Sequence, residues 1–80
     1  MSKTPKGWRK SVSYGRYIKF TNKTHKGSIV EIFKQTELQD YWEVRRWDKG
    51  QRIDKPNKEF DTKRQVIKFA HQWMSKHPRG

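Results

Sequence analysis

The residues best suited to chemistry lie in one short stretch. Arg45-Arg46-Trp47, followed by Lys49 and Arg52, places guanidinium forks and an indole ring within a dozen positions. A guanidinium fork matches phosphate oxygens and guanine edges, and an aromatic ring offers a face on which a base can stack. Similar pairings recur upstream. Arg9 and Lys10 follow Trp8, and Lys19 follows Tyr17. Tyr41 opens the stretch that ends in Trp47.

Other chemistries find little support. His71 and His77 are six positions apart, which does not place two ligands on one helix face. With no Cys, a metal would need carboxylates, and none lies near these histidines in sequence. We therefore expect no metal and no cofactor. Ser11, Ser13, Ser28 and Ser75 stand in no nucleophile-elbow context. No Walker loop or G-x-G-x-x-G is present, so an enzyme is not the expectation.

Charge supports a polyanion ligand. The chain has 80 residues, 20 of them Lys or Arg and 8 Asp or Glu, for a formal net charge of +12. All eight acids fall between residues 31 and 62, leaving both ends purely cationic. Lys and Arg that neutralise phosphates release counterions, which supplies sequence-independent affinity. The same patch would also serve a protein-interaction or inhibitor module with an acidic partner, Trp47 and Tyr41 acting as anchors. Basic charge suits anionic lipid as well, but the modest apolar stripe of the one helix is needed by the core. A membrane partner is therefore not expected, and nothing resembles a span or a signal peptide. The expected setting is the cytoplasm, near the nucleoid.

The elements that must position these residues follow from periodicity. Residues 1–10 are expected to form a flexible basic arm, broken by Pro5 and Gly7, and residues 11–78 a single domain. Residues 11–20 alternate as one strand, with Val12, Tyr14, Ile18 and Phe20 facing the core and Tyr17 and Lys19 facing out. Gly15 would mark a bulge. Residues 29–34 form a second strand whose inward face is undecided, because both parities are apolar. Residues 41–47 form a third, with Trp42 and Val44 inward and Tyr41, Glu43, Arg45 and Trp47 outward. Asp48-Lys49-Gly50 fits a three-residue hairpin loop, leading to a short fourth strand around Ile53. Residues 62–76 form a helix capped by Thr62, with Gln65 completing a capping box. Val66, Phe69, Ala70 and Trp73 make its apolar stripe.

The expected fold is α+β, a three- to four-stranded antiparallel meander packed on one face by the C-terminal helix (ββββα). Only 30% of the residues are hydrophobic and 14% are aromatic, so aromatic rings must supply much of the core. A core this small leaves room for a homodimer. The opposite sheet face carries Tyr17, Lys19, Tyr41, Arg45 and Trp47. Arg9 and Lys10 of the arm, Lys49 and Arg52 of the hairpin, and Lys63, Arg64 and Lys68 of the helix would add phosphate contacts.

The segments YWEVRRWDKGQR and FDTKRQVIKFA resemble the AP2-like, arm-type DNA-binding domains of phage and transposon integrases. The resemblance covers residues 41–70 and implies a three-stranded sheet backed by a helix, with the exposed sheet face in the major groove. It implies contacts from Arg45, Trp47 and Arg52, with Phe60 and Thr62 fixing the strand-to-helix corner. What it carries over is a binding mode, not recombination. The order of strands and helix also resembles, by topology alone, the coactivator family PC4, which binds single-stranded DNA.

Overall fold

The computed structural model describes residues 4–80. Lys3, part of the expected basic arm, lies outside the described residues. Strands β1 (Trp8–Tyr14), β2 (Tyr17–Asn22), β3 (Ile29–Phe33) and β4 (Trp42–Asp48) form an antiparallel meander. The far edge of β4 is shared by β5 (Gln51–Arg52) and β6 (Lys58–Phe60). Helix α1 (Lys63–Ser75) packs on one face, so the fold is α+β with a single C-terminal helix on an antiparallel sheet. Among the described residues, no helix is long and apolar enough to cross a membrane.

Helix α1 starts where the capping box places it. The Thr62 side chain accepts from the Gln65 amide at 3.2 Å, and the Gln65 side chain accepts from the Thr62 amide at 3.2 Å. Val66, Ala70 and Met74 are fully buried against Ile18, Phe20, Val30, Ile32, Trp42 and Val44 of the sheet. Phe69 and Trp73 are partly buried beside them.

The expected single strand over residues 11–20 is instead a hairpin. Tyr14 pairs with Tyr17 across the turn at Gly15 and Arg16. In a two-residue hairpin, positions i and i+3 share a face, whereas in a continuous strand i and i+2 do. The turn therefore reverses the parity. Ile18 and Phe20 face the helix as expected, but Val12 and Tyr14 lie on the opposite face and Tyr14 is 69% exposed. The bulge sits at Ser11, between Lys10 and Val12, and not at Gly15.

The bulge also returns Trp8 to the helix side, so the expected arm is strand from Trp8 onward. Trp8 is 2% exposed, and its ring meets Trp73 edge-on at 5.8 Å. Its indole N–H donates to the carbonyls of Met74 at 3.1 Å and His77 at 3.0 Å, fastening β1 to the end of α1. Trp8→Phe removes that donor and is expected to destabilise the fold by about 1–3 kcal/mol, read by urea denaturation.

The β4–β5 turn is tighter than the expected three-residue loop. Lys49 and Gly50 both have positive φ, at 52° and 89°, and Asp48 pairs with Gln51. That is a two-residue turn whose twist matches the flanking strands. The fourth strand is broken: β5 ends at Arg52, and pairing to β4 resumes only at Lys58. In the gap, Asp54 folds inward to Arg46, which occupies a core-facing position opposite Val30. The guanidinium donates to both carboxylate oxygens at 2.8 Å, over the rings of Phe69 at 4.8 Å and Trp73 at 5.4 Å.

His71 is half-buried, edge-on to Phe20 at 5.9 Å. Burial, and then the charge of Lys10, holds its imidazole below the usual histidine range. The folded state thus binds fewer protons than the unfolded one as pH falls through about 6.5, and stability is lost there. Melting temperatures between pH 7 and 5 are expected to fall less steeply in His71→Gln.

Candidate nucleic-acid interface

Strand pairing arranges the helix-free face of the sheet in three rows. Tyr14, Tyr17, Phe33, Glu43 and Glu59 form the first, and Val12, Lys19, Glu31 and Arg45 the second. Arg9, Thr21, Ile29, Trp47 and Arg52 form the third.

The first row is acidic and covered at Phe33 and Glu43, although Tyr14 and Glu59 are exposed. Residues 34–41 fold over it, and Gln35 and Gln39 donate to one oxygen of the buried Glu43 carboxylate at 3.0 and 3.1 Å. Asn57 donates to the other oxygen at 3.2 Å. Tyr41 belongs to this end. Burial, with the carboxylates of Glu59, Glu43 and Asp40, raises its phenol above the usual range. That is a poor neighbourhood for a phosphate.

The second row is braced by Glu31. Tyr17 donates its hydroxyl to one carboxylate oxygen, and Arg45 Nε donates to the other at 2.9 Å. Burial first, then the hydrogen bond and charge of Glu31, pushes the Tyr17 phenol up to about 12. The Arg45 guanidinium lies over Phe33 at 4.5 Å and beside Trp47 at 5.6 Å. Arg45 thus orients the Trp47 ring, and part of its charge is already neutralised.

The third row is open. Trp47 is half-buried and borders a concavity of about 390 Å³ lined by Lys19, Ile29, Glu31 and Arg45 as well. Lys26 and Lys49 belong to two turns beside this row that are tied side by side. The Gly50 amide donates to the Gly27 carbonyl at 2.8 Å, and the Lys49 amide to the Ser28 hydroxyl at 3.1 Å. Arg52 at the far end donates to the Asp54 carbonyl at 2.9 Å and to Asn57 at 2.6 Å.

The structure therefore brings together Arg9, Tyr17, Lys19, Arg45, Trp47 and Arg52 on one face, with Lys49 at its edge. It does not bring the others there. Lys10 points to the helix side, 6.0 Å from the centre of the Phe20 ring, because its strand partner is Phe20. Lys63, Arg64 and Lys68 are exposed on α1, in the opposite layer. A concavity of about 730 Å³ follows that helix flank from Arg64 to Lys76.

Sequence reasoning missed Lys23, Lys26 and Arg79. They gather at the end of the molecule where the 22–28 turn meets residues 6–9 and 78–79. Asn22 organises this end. It is 1% exposed, its side-chain oxygen accepts from the Thr24 and His25 amides at 2.8 Å each, and its amide donates to the Pro78 carbonyl at 3.2 Å. An Asn bonding the amides two and three residues on is a turn signal that the sequence does contain.

Among the described residues, no group of three or more His, Cys, Asp or Glu is placed to hold a metal. Comparison with known proteins gives no matching family model, no significantly similar curated protein and no significantly similar solved structure.

Proposed function

We propose that the protein is a small nucleic-acid-binding domain of the cytoplasm, acting on DNA rather than RNA, and that the third row of the open sheet face is its contact surface. One observation carries this reading. Trp47 presents part of its ring on a face that also carries Arg9 and Lys19, next to the turns that hold Lys26 and Lys49, and none of these four cations has a carboxylate partner among the described residues. Among the described residues, ion pairs engage only Arg16, Arg45 and Arg46, and of these Arg45 alone lies on this face. Clustered cations repel one another, and the one acid lining the concavity, Glu31, is already engaged by Tyr17 and Arg45. A phosphate backbone relieves the repulsion, and a base beside it finds the ring. The likeness to arm-type integrase domains points to the same surface.

Titration of fluorescently labelled DNA at a series of salt concentrations tests the reading. If about five phosphates are neutralised, log K falls against log salt with a slope near −4.5 for duplex. A salt-insensitive complex, or none at low salt, contradicts it. Recovery of one acidic protein after nuclease treatment would instead favour the protein-interaction module.

A further inference from the structure

The third row does not stop at the edge of the sheet. Arg9 and Thr21, at its β1–β2 end, line a concavity of about 350 Å³ with Asn22, Lys23 and Lys26. Lys23 also lines the next concavity, of about 540 Å³, with Lys6 and Arg79. No acidic residue lines either one.

The floor between them is rigid. The Lys23 amide donates to the Gly7 carbonyl at 2.8 Å, and Asn22 holds both its own turn and Pro78. Gly7 has a φ of 89°, and a Cβ there would lie 2.0 Å from the Pro78 carbonyl oxygen. The segments around Gly7 and Pro78 are thus pressed together at one end of the fold, beside the row that carries Trp47.

The track has a shape. Trp47 to Arg9 crosses three strand spacings, about 14 Å. It then turns over the end of the sheet to Lys23, Lys6 and Arg79. Duplex DNA, with a persistence length of about 50 nm, does not follow a corner on that scale. A duplex also hides its base faces in the stack, and exposing one costs a few kcal/mol. A single strand bends freely and offers its bases.

We infer that the ligand is a single strand, with a base on Trp47 and its phosphates led past Arg9, Lys23 and Lys26 to Lys6 and Arg79. This rests on the nucleic-acid reading and narrows it.

The test measures affinities of the full chain for oligothymidylates of about 5 and about 15 nucleotides, which span small single-strand site sizes, and for a duplex of the longer length. Wild type is compared with Lys23→Gln/Arg79→Gln. Both side chains are exposed, so melting temperature should hold and serves as the folding control. The longer strand is expected to bind at least tenfold more tightly than the shorter strand and the duplex. The double variant should lower the salt slope for the longer strand by about 1.4, at about 0.7 per phosphate, and leave the shorter strand unchanged. Tighter duplex binding, or an unchanged slope in the variant, overturns the single-strand track while leaving nucleic-acid binding intact. If the double variant melts early, Lys23→Gln alone decides the same question at half the slope change. Binding of no oligonucleotide at low salt defeats the nucleic-acid reading itself, as does capture of an acidic protein alone.

Discussion

Replacing Asp54 with Ala is expected to remove about 3–5 kcal/mol of stability, because it leaves the Arg46 guanidinium buried without its partner. The side chains of the pair are 9% and 2% exposed, so the charge is largely withdrawn from water. The cation–π contacts with Phe69 and Trp73 remain in the variant but do not replace a carboxylate held by two hydrogen bonds. A domain of 80 residues has a total stability of about 4–12 kcal/mol, so the loss is a large share of it. Urea denaturation at 25 °C measures it. Arg16→Ala breaks the exposed pair with Glu37, whose side chains are 45% and 84% exposed, and should cost under about 1 kcal/mol. Replacing both buried partners together, as Arg46→Met/Asp54→Leu, should restore much of what Asp54→Ala loses, since neither charge is then left alone. An Asp54→Ala protein within about 1 kcal/mol of wild type would show that the pair contributes little.

Trp47→Ala is expected to weaken nucleic-acid binding by about five- to 150-fold, the range that about 1–3 kcal/mol of base stacking implies. It removes no charge, so the dependence of affinity on salt should keep its slope. Lys19→Ala should do the reverse, lowering the slope for a single strand by up to about 0.7 with a smaller loss at high salt. Arg45→Ala is a mixed case. It deletes a cation, unties the Trp47 ring and leaves Glu31 without its ion pair on the contact face. Equilibrium titrations of the three variants at two salt concentrations separate ring from charge. Equal behaviour of Trp47→Ala and wild type would show that bases do not stack there.

The parts of the fold legible in the sequence are those set by local rules. The capping box and the 3.6-residue stripe located α1, and alternation around Trp42 and Val44 assigned the two faces of β4. What escaped was decided by contacts distant in sequence. The Gly15–Arg16 turn is invisible to alternation, because each leg of the hairpin alternates by itself and only pairing shows that the parity has reversed. In the sequence Trp8 reads equally as a lid on the domain edge or as a ring for base stacking, and only the Ser11 bulge aims it at Met74 and His77, more than sixty residues away. Nothing local marks Arg46 and Asp54 as partners, although they are buried together.

The site was half legible for the same reason. Residue type and strand parity placed Lys19, Arg45 and Trp47 on one face. Arg9 joined them because its segment is strand rather than arm, and Lys10 was lost to the other face by the same alternation. Tyr41 shares the outward parity of Arg45 and Trp47, but the loop over Glu43 and the neighbouring carboxylates remove it from the basic surface. Lys23, Lys26 and Arg79 become neighbours only when the chain ends converge on Asn22.

The most direct measurement follows backbone and indole amide resonances by two-dimensional nuclear magnetic resonance while an oligothymidylate is added at low salt. Shifts should concentrate at Arg9, Lys19, Ile29, Arg45 and Trp47, including the Trp47 indole N–H, while Arg64, Lys68 and Ser75 on α1 stay still. Shifts along the helix flank instead, or none at saturating oligonucleotide, would contradict the assignment of the open sheet face as the binding surface.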